Sequence, residues 1–498
     1  MTLLQKYRRI IEYSSLIIGY IIAVIFYFSV QEIEIYNKLL IVNIIVMGAN
    51  VLFCLFNYRK RFLTLIFYGM IFLFLLSYPV FSPMKNNLWY YVGSVNANII
   101  ALSTIVLSLL CINIGVVVSE YIQSKNKKTE KQEKQEKNIG TYRKIMGIIL
   151  IICMSVLFVQ EIDKYFVMQG YTYEDYYIVY KTRLPYILTI IAGLTKYALC
   201  IYLALKPSKK MSIFTLIIYV ASAIPMTLIG SRKGIILNIL FFVVYFLLRD
   251  SLEIDYSQKW IRKKEKILVV IMIPLIIGGA GIIDMLRGDK SVDDNFSVVD
   301  LASDFFYGQG TTYKTILQSI VHQDELIQKD SQFYTLAPIT DYIFYGTIGQ
   351  KLFGTNDLGY GNNINKVYYG ANLSHDISYE VYVDKYFEGN GRGSSYIAEL
   401  YLDFGYIGVA FFSIFIGCFL SFSYEIAKKH WLFFAFLLLS FLTIYFMPRD
   451  SALNSIMFIF EIQFWIVLSS LFICKYIIEY LQSIINKKNI LGKLIHWF

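Results

Sequence analysis

Apolar runs of about 18 residues or more recur along the whole chain, each long enough to cross a bilayer as a helix. Hydrocarbon offers no partner to a backbone amide, so each run must close its own hydrogen bonds. Helices are expected near 13–30, 37–56, 62–82, 97–118, 145–161 and 186–204. A second set is expected near 212–229, 235–248, 266–283, 406–426, 432–447 and 453–475. The fold class is therefore an all-α polytopic membrane protein of about twelve transmembrane helices. With 57% hydrophobic and only 16% charged residues among 498, the composition excludes an ordinary soluble enzyme. The first run follows Lys6, Arg8 and Arg9 but lacks a small-residue cleavage site, so it reads as a retained helix rather than a signal peptide.

Charge in the loops alternates. NYRKR (57–61), residues 121–144, KPSKK (206–210), residues 249–266 and AKKH (427–430) are basic. The intervening loops, such as QEIEIY (31–36) and residues 161–180, are acidic or aromatic. The positive-inside rule then places both termini in the cytoplasm. It also accounts for the net charge of +10 without a nucleic-acid partner. The run at 125–138 (KNKKTEKQEKQEKN) is a solvated linker, and residues 476–498 read as a cytoplasmic interfacial tail. Cys54, Cys111, Cys153, Cys200, Cys418 and Cys474 fall in or at the ends of apolar runs, at no metal-ligand spacing. Neither a zinc site nor an external disulfide framework is implied.

The domain plan follows: spans one to nine over 1–283, a large external loop over 284–405, the last three spans over 406–475, then the tail over 476–498. Between Asp284 and Arg392 roughly a hundred residues join two spans, far beyond an ordinary connection. Acidic residues outnumber basic ones about two to one there, as suits a translocated segment. Residues 304–321 and 335–354 read as partly apolar helices lying over the membrane face. Abundant Tyr and Asn in the same segment suit stacking on sugars and bonding to their hydroxyls.

The stretch 389–408 (GNGRGSSYIAELYLDFGYIG) leads from that loop into the next span. Read as a helix from Arg392, it puts Arg392, Ser395, Glu399 and Asp403 on one face. A polar stripe entering hydrocarbon needs a wet cavity or a polar ligand beside it. Four arginines are expected at the outer surface: Arg232 in GSRKG, Arg287 in LRGD, Arg392, and Arg449 in MPRDS. Snorkelling or local ion pairing accounts for any one of them. A shared target is simpler for the group, and guanidinium forks match the oxygens of a phosphate or pyrophosphate. Gly230 and Gly234, and Asp450 with Ser451, would let backbone amides approach such an anion. Two groups are candidate bases, Glu399 in the stripe and His375 beside Asp376. No P-loop, G-x-S-x-G elbow or HExxH occurs, so no nucleotide, metal or other cofactor is implied.

These features resemble the Wzy-type O-antigen and capsular polysaccharide polymerases, polytopic glycosyltransferases of the broad GT-C class. The match rests on the span count, the late external loop, GSRKG (230–234), YGQGTTY (307–313), the G-x-G-S-S-x-x-x-E-x-Y-x-x-F-G-x-x-G pattern from Gly391 to Gly408, and PRDS (448–451). The related O-antigen ligases carry a histidine where Ser394 and Ser395 stand here, nine residues before Gly405-Tyr-Ile-Gly408, which favours polymerase over ligase. The resemblance implies a bacterial cytoplasmic (inner) membrane protein with its active site on the external face. Its substrates would be undecaprenyl-pyrophosphate-linked oligosaccharides, its reaction an inverting glycosyl transfer without cofactor, and a chain-length regulator protein a further partner. On this reading Arg232, Arg287, Arg392 and Arg449 hold pyrophosphate, while Lys233, Gln309, Ser394, Ser395 and Asp403 complete the substrate-binding set. Glu399 or His375 takes the acceptor proton, with Arg392 also in the catalytic set. The rival readings are a lipid-linked oligosaccharide flippase or polysaccharide transporter, and a ligase-type glycosyltransferase. Transporters show internal repeats and helices broken at mid-bilayer. No half-to-half repeat stands out here.

Overall fold

The computed structural model describes residues 3–31, 33–86, 94–126, 139–171, 175–231, 233–252, 260, 298–326 and 332–495. The first part of the chain forms α1 (Leu3–Ser29), α2 (Ile35–Phe56), α3 (Tyr58–Ile71), α4 (Ser77–Asn86), α5 (Val95–Asn126) and α6 (Ile139–Val167). It continues through α7 (Tyr176–Val179), α8 (Tyr186–Gly193), α9 (Thr195–Ala204), α10 (Lys209–Ala221), α11 (Ile224–Leu228) and α12 (Lys233–Leu252). Then come α13 (Val298–Gln309), α14 (Thr312–Val321), α15 (Ala337–Tyr345), α16 (Thr347–Phe353), α17 (Ile364–Tyr368), α18 (Leu373–Val381) and α19 (Val383–Phe387). The chain closes with α20 (Tyr396–Lys429), α21 (Trp431–Phe441) and α22 (Ile462–Ile495). Among the described residues there is no strand.

Among the described residues, eleven helical segments are long and apolar enough to cross a membrane. They coincide with eleven of the twelve expected spans, and the one expected near 266–283 lies outside the described residues. Arg232 and Arg287 lie outside them as well. Several spans are not single rods. A π turn at Phe72–Leu76 joins α3 to α4, and α8 gives way to α9 at Leu194. Span eleven runs from α21 into a 3-10 turn, Ile444–Arg449. Within α20, Gly405 sits at φ 62° and ψ −153°, a backbone region that essentially only glycine enters. The last helix is continuous through Ile495, so residues 476–495 of the segment expected as a tail continue the final helix without a break.

Helix α5 runs along α20 at backbone contact. A methyl at Gly115 would lie 2.2 Å from the Ile414 carbonyl oxygen, and one at Gly417 2.0 Å from that of Ile112. Glycine at both positions is therefore what lets the two helices touch, the small-residue packing that replaces hydrophobic drive inside a membrane. Ser108 adds a polar tie, 2.7 Å from the Tyr396 hydroxyl and 2.8 Å from that of Ser413. At one end of the bundle Arg61 joins three helices, bonding Glu120 (2.7 Å), Glu12 (3.1 Å) and the Phe53 carbonyl (2.6 Å).

At the opposite end α13 to α19 form a cap. Helix α13 packs on α4, α14 packs on α5 and α20, and α18 packs on α14. The tight point is Gly310, between α13 and α14, where a Cβ would lie 2.3 Å from the Tyr78 nitrogen and 2.4 Å from Ser77 Oγ. Only glycine lets this turn rest on the start of α4.

Candidate active site

Glycines at 389, 391 and 393 keep residues 389–395 out of the helix, and α20 begins at Tyr396 with Ser395 in the N-cap position. Arg392 is therefore on an extended strap rather than on the helix expected from its spacing. The stripe divides accordingly. Glu399 and Asp403 share a face of α20, while Arg392 and Ser394 approach from the strap.

Glu399 is fully buried. Ser394 Oγ donates to one of its oxygens at 2.6 Å, and the Ala452 N–H donates to the other at 2.9 Å. One carboxylate thus fastens the strap to the turn that follows Arg449. Asp403 does similar work one turn later, accepting the N–H groups of Tyr334 (3.1 Å) and Thr335 (2.7 Å) at the head of α15. Both carboxylates satisfy backbone donors that would otherwise be orphaned.

Cationic groups collect around this fastening. Arg449 Nη1 donates to Gln309 Oε1 at 3.0 Å, with its guanidinium 5.7 Å from the Phe74 ring centre. Lys233 Nζ lies 3.4 Å from Asp450 Oδ2 and 4.4 Å from the Phe446 ring centre. A Cβ on Gly393 would sit 3.5 Å from the Arg449 carbonyl and 3.9 Å from its Cγ, so the residue beside Arg392 lies directly against Arg449. Arg392 itself donates its backbone N–H to Ser378 Oγ (2.7 Å) and its Nη2 to the Tyr382 hydroxyl. Burial pushes the Tyr382 hydroxyl up, but the hydrogen bond from Gln318 and the charges of Arg392 and Lys314 outweigh it and hold it below the usual tyrosine range. Lys314 also lies 4.7 Å from the Tyr78 ring centre.

Several polar atoms at this junction are buried without a hydrogen-bond partner among the described residues: Arg392 Nε, Gln318 Oε1 and Ser395 Oγ. Buried donors and acceptors are rarely left so, and each marks a place where a polar ligand would be welcome. His375 stands one helical turn from Ser378 on α18, its Nδ1 3.0 Å from the Tyr386 hydroxyl. That hydroxyl donates to the Asn363 carbonyl (3.0 Å), so His375 Nδ1 carries the hydrogen and Nε2 is left as the basic nitrogen.

Of the residues singled out from sequence, the structure brings together Gln309 with Arg449, Ser394 with Glu399 and the turn after Arg449, and Lys233 with Asp450. Arg392 joins them through its neighbour Gly393. Sequence reasoning missed Lys314, Gln318 and Tyr382. The one available signal was Lys314, which directly follows the YGQGTTY motif.

Comparison with curated proteins and with solved structures returns no match. The family model described as O-antigen polysaccharide polymerase Wzy matches residues 11–480, nearly the whole chain. A polytopic helical bundle with this capped, cation-bearing end thus belongs to the O-antigen polysaccharide polymerase Wzy family.

Proposed function

We propose that the chain polymerises undecaprenyl-pyrophosphate-linked oligosaccharide repeat units on the outer face of the bacterial cytoplasmic membrane, by inverting glycosyl transfer. Family membership supports the polymerase role. The observation that carries the finer reading is the junction of Arg392 and Arg449, with an unpartnered buried Arg392 Nε, beneath a long cap at one end of the bundle. Such a junction suits the diphosphate of a lipid lying with its tail among the helices and its sugars under the cap.

In this mechanism the acceptor hydroxyl attacks the anomeric carbon of the donor glycan as the bond from that carbon to the phosphate oxygen breaks. Configuration inverts, and polyprenyl pyrophosphate leaves with the bonding electrons. Arg392 and Arg449 offset the charge that develops on the leaving oxygens, a contribution worth about 10²–10³ in rate for one well-placed donor. Lys314 and Lys233 add to the field, Gln309 holds Arg449, and Ser395 offers its hydroxyl to the substrate. His375 Nε2 takes the acceptor proton. Glu399 is a positioning residue that holds the strap against the turn after Arg449, and Asp403 anchors the cap. Arg232 and Arg287 join the diphosphate set on sequence grounds, and a chain-length regulator is a partner on the same grounds.

The test is direct. Purified protein in nanodiscs, given lipid-linked repeat units and no nucleotide sugar, should lengthen the glycan and release polyprenyl pyrophosphate. Movement of the lipid across vesicles with no lengthening would support a flippase instead.

A further inference from the structure

We propose that His322, Glu325 and Glu380 form a site for one divalent transition cation, of the zinc or manganese kind, on the cap. Their coordinating atoms (one imidazole nitrogen and two carboxylate oxygens) all lie within 4.8 Å of one another. The three come from two separate elements. His322 ends α14, Glu325 sits in the turn that follows, and Glu380 is the penultimate residue of α18.

The local charge is unbalanced. His322 Nδ1 and Glu325 Oε2 are already in hydrogen-bond contact, while Glu380 faces them without an ion pair or hydrogen bond to any cationic side chain among the described residues. Two carboxylates aimed at one imidazole repel each other, and a doubly charged ion relieves that repulsion. Coordination at about 2.1 Å puts ligand atoms about 3.0–3.4 Å apart, so Glu380 would close on the pair while His322 and Glu325 part slightly, both within reach of rotamer adjustment on exposed and half-exposed side chains. The ion would take the place of the hydrogen between Nδ1 and the Glu325 carboxylate, and that proton would be released to solvent. One nitrogen with two carboxylate oxygens suits zinc or manganese better than magnesium, whose ligands are usually oxygen alone.

Location gives the site its role. Gln318 lies one turn before His322 on α14, and Tyr382 lies two residues after Glu380. These are the two side chains that meet beside Arg392. A cation joining the ends of α14 and α18 would fasten that wall of the junction without touching substrate. Binding is read on the protein alone, so it stands or falls apart from the proposed reaction.

Full-length protein in detergent, stripped with EDTA and dialysed, would be given Zn²⁺, Mn²⁺ or Mg²⁺, and read by bound metal after gel filtration and by thermal unfolding midpoint. One equivalent of Zn²⁺ or Mn²⁺ should be retained with a rise in midpoint, and Mg²⁺ should do neither. Glu380→Gln should weaken binding at least tenfold while leaving the metal-free midpoint unchanged, and His322→Gln should weaken binding to the same extent. Because Glu380 has no such partner to lose, its variant is safe for folding. Equal metal retention by the wild type and an H322Q/E325Q/E380Q triple variant would overturn the site, as would an equal response to Mg²⁺.

Discussion

Replacing Glu399 separates its two roles. The carboxylate is fully buried, and its oxygens take one bond from Ser394 Oγ and one from the Ala452 amide. Alanine would strand both donors in the interior, at about 1–3 kcal/mol each, so Glu399→Ala should lose about 2–6 kcal/mol and fail to hold the strap. Glutamine keeps the geometry. Its carbonyl can accept from Ala452, and its amide can donate to the Ser394 oxygen once that hydroxyl rotates. What changes is one hydrogen bond remade with its donor and acceptor exchanged, about 1 kcal/mol, or about fivefold in elongation if all of it reaches the site. A general base would behave differently, since glutamine cannot take a proton and 10²–10⁴ in rate would go with it. The assay is glycan elongation by the purified variant beside its thermal unfolding midpoint in detergent. Glu399→Gln with a wild-type midpoint and a hundredfold or greater loss of elongation would refute the positioning role.

His375→Asn should lower elongation by about 10²–10⁴ while leaving retention of the lipid-linked substrate in a pull-down unchanged. Arg449→Lys should lose most elongation even though charge is kept, because an ammonium cannot match two oxygens at once or reproduce the fork that now reaches Gln309. At the other end of the bundle, Arg61→Ala would remove the buried guanidinium that Glu12 and Glu120 share, at a cost of about 3–5 kcal/mol. A midpoint within a degree of wild type would show that Arg61 is dispensable.

Span positions were legible in the sequence because an apolar run of bilayer length has few alternatives, and eleven expected segments coincide with helices. The interruptions were less so. Gly193 stands at the break before Leu194, but a lone glycine inside an apolar run is tolerated in a membrane helix and did not by itself announce an interruption. The start of α20 could have been read correctly. Glycines at 389, 391 and 393 oppose a helix, yet regular spacing from Arg392 to Asp403 drew it one turn too early. Pairings inside the site were invisible for a different reason. Gln309 meets Arg449 across 140 positions of sequence, and Lys314 and Gln318 meet Tyr382 only because Gly310 seats α14 against the bundle. Short motifs marked the chain near these contacts, but which partner each would find depended on packing.

The central claim is that Arg392 and Arg449 together hold the diphosphate of the departing lipid. The most direct measurement is release of polyprenyl pyrophosphate, with glycan length read in parallel, by an R392A/R449A double variant in nanodiscs supplied with lipid-linked repeat units. The account predicts that both products vanish while the unfolding midpoint stays near wild type. Undiminished release and elongation by the folded double variant would contradict it.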